Sequence, residues 1–106
     1  MPQFDVHRNP GRQRETIPFV VVVQSSQFDG YRRRLVVPLV RADSVGGSAL
    51  KSLNPAFTIR KVRVVLHPLD LVSIPVDQLG ECVGSLAEHA DVIVAALDEV
   101  LTRVWK

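Results

Sequence analysis

The run Phe19-Val20-Val21-Val22-Val23 constrains the fold more than any other feature of the chain. Its β-branched side chains lose rotamer freedom in a helix, and it is too short to stand as one. It is apolar at every position, so it reads as a strand covered on both faces. Such a strand needs neighbours beside it and an apolar layer over each side. Residues 17–24 are therefore assigned to a central strand, residues 25–30 to a turn and residues 32–41 to the next strand, centred on Val36, Val37, Leu39 and Val40. Pro38 inside that strand has no N–H to donate and predicts an edge or a bulge.

The rest of the chain supplies the partners. Residues 3–7 alternate apolar and polar and predict a short strand, followed by the turn signal Asn9-Pro10-Gly11 and an arginine-rich loop to Thr16. Between residues 42 and 55, Gly46-Gly47 breaks the chain, and Ser48 to Leu53 allow at most a short helical turn. Phe57 and Ile59 share one phase, whereas Val62, Val64 and Leu66 share the opposite one, which places a tight turn or bulge at Arg60-Lys61. His67-Pro68 ends that strand, and residues 70–80, with Ser73-Ile74-Pro75-Val76, read as an ordered connection.

Val83, Leu86, Ala90, Ile93, Leu97, Val100 and Val104 then recur at three- and four-residue spacings, the stripe of an amphipathic helix reaching the end of the chain. Glu81 and Glu88 lie towards its start and Arg103 and Lys106 at its end, which suits the helix dipole. Trp105, the only tryptophan, falls on the flank of the stripe with Leu101 and Asp98. It packs on its own sheet or serves as a binding anchor, and the sequence leaves both open. The expected fold is one mainly β domain over residues 1–106 with a single long C-terminal helix.

Composition narrows the function. A chain of 106 residues with 46% hydrophobic and 23% charged residues buries one core and is not intrinsically disordered. Cys82 is the only cysteine, so no disulfide forms within the chain. No stretch is long and apolar enough for a membrane span. Residues 1–14 lack the apolar core of a signal peptide, and a cytoplasmic location is expected. A net charge of +2 is too small to imply nucleic-acid binding. The basic clusters Arg8, Arg12, Arg14 and Arg32-Arg33-Arg34 fit either a solvated face or a surface for an acidic protein segment.

Signs of catalysis are sparse. His7, His67 and His89 stand alone in their segments, and none pairs with Cys82 or a carboxylate at metal-ligand spacing, so no metal site is expected. Cys82 reads as a small, partly buried residue near a helix start rather than as an activated thiol. Gly46-Gly47 lacks the lysine of a phosphate loop, and Ser25-Ser26 precedes no recognisable base. A ribonuclease site assembled from arginine and a carboxylate across strands stays open. The sequence favours a protein-binding function without catalysis or cofactor.

Several segments resemble the CcdB family of toxins from bacterial toxin–antitoxin pairs. They are Gln3-Phe4-Asp5-Val6, Val22-Val23-Gln24-Ser25, Arg33-Arg34-Leu35-Val36-Val37-Pro38-Leu39, Leu53 and Pro55, Asp70 with Ser73-Ile74-Pro75-Val76, and Gly80-Glu81 with Val83. From Gln24 to the terminal helix the likeness runs without a gap. The resemblance implies an SH3-like barrel-type antiparallel sheet with a small side sheet and a C-terminal helix, and a homodimer. It also implies binding to the A subunit of DNA gyrase, which is trapped on cleaved DNA, and neutralisation by a CcdA-type antitoxin. No cofactor, direct nucleic-acid contact or membrane is implied.

Carried over by position, the gyrase-binding residues are Gln27, Phe28, Asp98, Leu101, Thr102, Val104, Trp105 and Lys106. The family ends in Trp-Gly-Ile or close to it, whereas those places here hold Thr102, Arg103 and Val104, with Trp105 three residues later. Three residues turn a helix by roughly 300° and advance it about 4.5 Å, so Trp105 nearly returns to the same face. Arg8, Arg12 and Arg14 are the expected antitoxin contacts. The alternatives are a diverged member that binds its antitoxin but no longer poisons gyrase, or has another target, and an mRNA-cleaving endoribonuclease toxin.

Overall fold

The computed structural model describes residues 2–44 and 53–101. Their strands are β1 (Asp5–Arg8), β2 (Phe19–Val22), β3 (Arg33–Arg41), β4 (Ala56–Ile59), β5 (Val62–Leu66), β6 (Val72–Pro75) and β7 (Cys82–Ser85), followed by the helix α1 (Ala90–Leu101). They form one antiparallel sheet in the order β4-β5-β3-β2-β1-β7, and β6 pairs with β3 beside that path. This curled sheet with one C-terminal helix is the expected mainly β fold. The possible helical turn over residues 48–53 and the glycine pair at 46 and 47 fall, all but Leu53, outside the described residues.

β2 is buried at all four positions, as its composition requires. Phe19 and Val21 join Val6, Val37, Leu39, Val64, Leu66 and Ile93 in the main core. Val20 and Val22 face the other way, onto Val36, Ile74 and Leu79. The helix covers the first face through the buried Ile93 and Ala96, with Ala90 and Leu97 packed beside them. At roughly 1.5–3 kcal/mol per buried aliphatic side chain, these contacts hold helix to sheet.

Four sequence expectations need correction. Pro38 lies at neither an edge nor a bulge: it pairs with Val20 in a strand flanked on both sides. Its carbonyl accepts from the His67 N–H at 3.1 Å, so its nitrogen also points away from β2. There the outer neighbour of β3 changes from β6, which pairs through Val36, to β5, which begins at Leu39. The missing N–H falls in that gap and breaks no ladder bond.

The first strand begins at Asp5 rather than Gln3, because Phe4 has φ 71° and is held by bonds from its N–H to Val22 and from the Leu86 N–H to its carbonyl. Val83 and Leu86, though in helical phase with Ile93, precede α1. Gly84 interrupts that stretch and is a poor helix former, and Cys82–Ser85 instead pairs with β1. Glu81 is therefore not at the helix start. Finally, the connection at 70–80 contains the strand β6.

The turn at Arg60-Lys61 is as expected. Both residues have positive φ, 49° and 68°, and Ile59 pairs with Val62, which defines a two-residue type I′ hairpin.

Candidate functional site

Two surface regions collect the residues expected to meet partners. The first is the turn after β2. Phe28 closes a 3₁₀ turn, Ser26–Phe28, and its ring meets Tyr31 edge-on at 5.7 Å and 76°. Phe28 is 43% exposed and Tyr31 66%, and Leu35 adds a third exposed apolar side chain. With Gln24 and Arg33 these residues line a cavity of about 310 Å³. Gln27, the neighbour of Phe28, is exposed on the same turn.

Arg34 builds this patch from beneath. It is 4% exposed, and its guanidinium donates to the backbone carbonyls of Tyr31 at 2.6 Å, Arg33 at 3.0 Å and Asp29 at 2.5 Å. These charge-assisted bonds from its two Nη atoms offset the cost of burying the cation and fix the turn carrying Phe28 and Tyr31, while its buried Nε finds no partner. Alongside, Arg33 clamps β6 through Ser73, its Nε reaching Oγ at 2.8 Å and its Nη2 the carbonyl at 2.6 Å. Arg32-Arg33-Arg34 is thus not one solvated basic face. The sequence reading missed Tyr31, Arg34 and Leu35. The available signal was strand alternation, which puts Arg34 in phase with Val36 and leaves Leu35 outward.

The second region is the arginine loop. Asn9 shapes it, with its side-chain nitrogen donating to the Ile17 carbonyl at 2.8 Å and its side-chain oxygen accepting from the Gly11 N–H at 2.9 Å. Arg41 anchors the far side through the Glu15 carbonyl at 2.7 Å. Arg12 and Arg14 are exposed and line one concavity with Pro10, Gly11 and Glu15. Arg8 stands apart, its Nε 3.0 Å from Glu81 Oε1. That hydrogen bond, together with the arginine's charge, lowers the Glu81 carboxyl below its usual 4.5.

The remaining expected residues lie in the C-terminal part of the sequence. Asp98 and Leu101 are exposed in the last turn of α1. Thr102, Arg103, Val104, Trp105 and Lys106 lie outside the described residues.

A family model described as CcdB protein matches residues 3–102, nearly the whole chain. The chain belongs to the CcdB family. CcdB-family proteins are toxins of toxin–antitoxin pairs, and the sheet and terminal helix described above fit that fold. A search of curated proteins finds no significant match. The match ends at Thr102, so the CcdB pattern covers Phe28, Asp98 and Leu101 but not Trp105.

One juxtaposition in this CcdB-family chain joins residues that stand far apart in the sequence. Pairing of β1 with β7 brings Asp5, His7 and Cys82 together, with one potential ligand atom from each within 4.8 Å of the others. Cys82 is exposed on a strand rather than partly buried at a helix start. Among the described residues, no helix is long and apolar enough to cross a membrane.

Proposed function

We propose that this protein is a cytoplasmic toxin that binds the A subunit of DNA gyrase and traps the enzyme on cleaved DNA, and that a CcdA-type antitoxin neutralises it. The observation carrying this reading is the CcdB match over residues 3–102. The exposed, edge-on pair Phe28 and Tyr31 supports it, because aromatic side chains are what interface hot spots use. Gln27, Phe28, Asp98, Leu101, Thr102, Val104, Trp105 and Lys106 are assigned to gyrase, and the reading needs no catalytic step or cofactor. Incubating purified gyrase, DNA and this protein is expected to accumulate gyrase-dependent cleaved DNA. Intact DNA would overturn the reading.

A second reading is a diverged member that keeps antitoxin binding without poisoning gyrase. It is favoured by Thr102, Arg103 and Val104 standing where the family carries Trp-Gly-Ile. Antitoxin binding without gyrase-dependent cleavage would select it, and rapid mRNA loss on expression would select a nuclease instead.

The protein is expected to be a homodimer. Leu69, Val92, Val94 and Leu101 are exposed aliphatic side chains on α1 and on the turn packed against it, apolar surface that a second copy can cover. Sedimentation at micromolar concentration checks this, and a monomer there refutes it.

Arg12 and Arg14 are expected to steer an acidic antitoxin segment, with Arg8 contributing less because Glu81 neutralises it. Reversing Arg12 and Arg14 to glutamate should slow association and flatten its salt dependence. Reversing Arg8 alone should change the rate less. Unchanged association of the double variant at low salt would remove this loop from the interface.

A further inference from the structure

We propose that Asp5, His7 and Cys82 form a binding site for a divalent transition metal of the zinc class, which pins the edge strand β7 to β1. The sheet creates the site. Asp5 and His7 are two apart on β1 and share a face. In unbroken register His7 would oppose Val83, but the register shifts between Val6 and His7, so Val6 pairs with Gly84 and His7 with Cys82. This bulge sends Val83 to pack against the main core and sets Cys82 opposite His7, where cross-strand side chains lie side by side.

The distances suit a small cation. Cys82 Sγ is 3.7 Å from Asp5 Oδ2. A tetrahedral zinc ion with bonds of about 2.3 Å to sulfur and about 2.0 Å to oxygen holds those two atoms roughly 3.5 Å apart. A ring nitrogen of His7 completes a triangle within 4.8 Å.

His7 supplies the independent indication. It is 3% exposed, and its Nδ1 lies 2.9 Å from the Gly80 carbonyl oxygen. A carbonyl only accepts, so Nδ1 is the donor, and in a neutral ring Nε2 is then the atom with the lone pair. That Nε2 is buried and has no hydrogen-bond partner. A buried imidazole with one nitrogen donating to a backbone carbonyl and the other uncommitted is oriented as metal-binding histidines are. The geometry depends on Gly80, where a Cβ would sit 2.5 Å from the Arg8 carbonyl oxygen. Only a residue without one lets that backbone come close enough to hold the ring.

Thiolate, imidazole and carboxylate together select zinc over calcium or magnesium, which prefer oxygen alone. Coordination replaces the Cys82 S–H bond by an S–metal bond, and the proton leaves to solvent. Three protein ligands leave a fourth position for water, on the exposed Cys82 side.

The test uses the full chain in reduced form, titrated with Co²⁺ and then Zn²⁺. One Co²⁺ per chain is expected, with a thiolate-to-metal charge-transfer band in the near ultraviolet that Zn²⁺ abolishes. Zn²⁺ should raise the melting temperature of the wild type and not of Cys82→Ser. Cys82→Ser should lose the band and weaken Zn²⁺ binding by more than about 100-fold, and Asp5→Asn should weaken it at least about 10-fold, both with unchanged circular dichroism. No saturable binding overturns the proposal. So does wild-type affinity in Cys82→Ser, which would assign the metal to other histidines, or wild-type affinity in Asp5→Asn.

Discussion

Phe28→Ala is expected to weaken gyrase binding by roughly 30- to 1000-fold, the loss of about 2–4 kcal/mol that truncating a central aromatic hot spot produces. The ring is half exposed, stacks edge-on against Tyr31 and stands on a turn fixed from below by Arg34. It therefore gives an interface apolar area with little ordering left to do on binding. Its removal from the free protein costs little, because the ring lies outside both core clusters. Trp105→Ala is the companion variant, chosen because Trp105 is the tryptophan three places beyond the family's Trp position. Growth arrest and gyrase-dependent DNA cleavage are measured for wild type and both variants, with thermal stability and antitoxin binding as controls. Cleavage equal to wild type in a variant removes that residue from the gyrase surface. A large loss of thermal stability in Trp105→Ala would assign that ring to the core.

Arg34→Ala is expected to destabilise the fold by about 2–4 kcal/mol, because three backbone carbonyls lose a charged donor and a buried side-chain volume empties. For a domain of this size, the melting temperature should fall by at least about 8 °C. Arg34→Lys keeps the charge but not the planar fork that serves the Tyr31, Arg33 and Asp29 carbonyls together, so it should recover only part of the loss. Both variants should also weaken gyrase binding, since the turn beneath Phe28 is no longer fixed. A melting temperature within about 2 °C of wild type would show that water replaces the guanidinium at no cost.

Local chemistry was enough for part of this structure. The β-branched run at residues 19–23 could be satisfied only between two covered faces, and β2 is buried at every position. A change of apolar phase across Arg60-Lys61 demanded a tight turn, and two positive φ angles provide it. The apolar spacing from Ala90 to Leu101 needed only helical periodicity to be legible. Phe28 was reachable through the family resemblance, whereas its partners Tyr31 and Leu35 and the buried Arg34 were not. A run of three arginines looks the same whether its middle or its last member turns inward.

What tertiary structure alone decided are the contacts set by pairing between distant segments. Val83 and Leu86 have helical spacing, yet the unpaired edge of β1 takes Cys82–Ser85 as a strand, because a ladder of backbone bonds outweighs a weak local helix preference interrupted by Gly84. Pro38 is harmless in a central strand only because its nitrogen meets the gap between β6 and β5. His7 and Cys82 are separated by most of the chain, and a one-residue bulge makes them neighbours. Register is a property of two strands together, so no reading of either segment alone contains it.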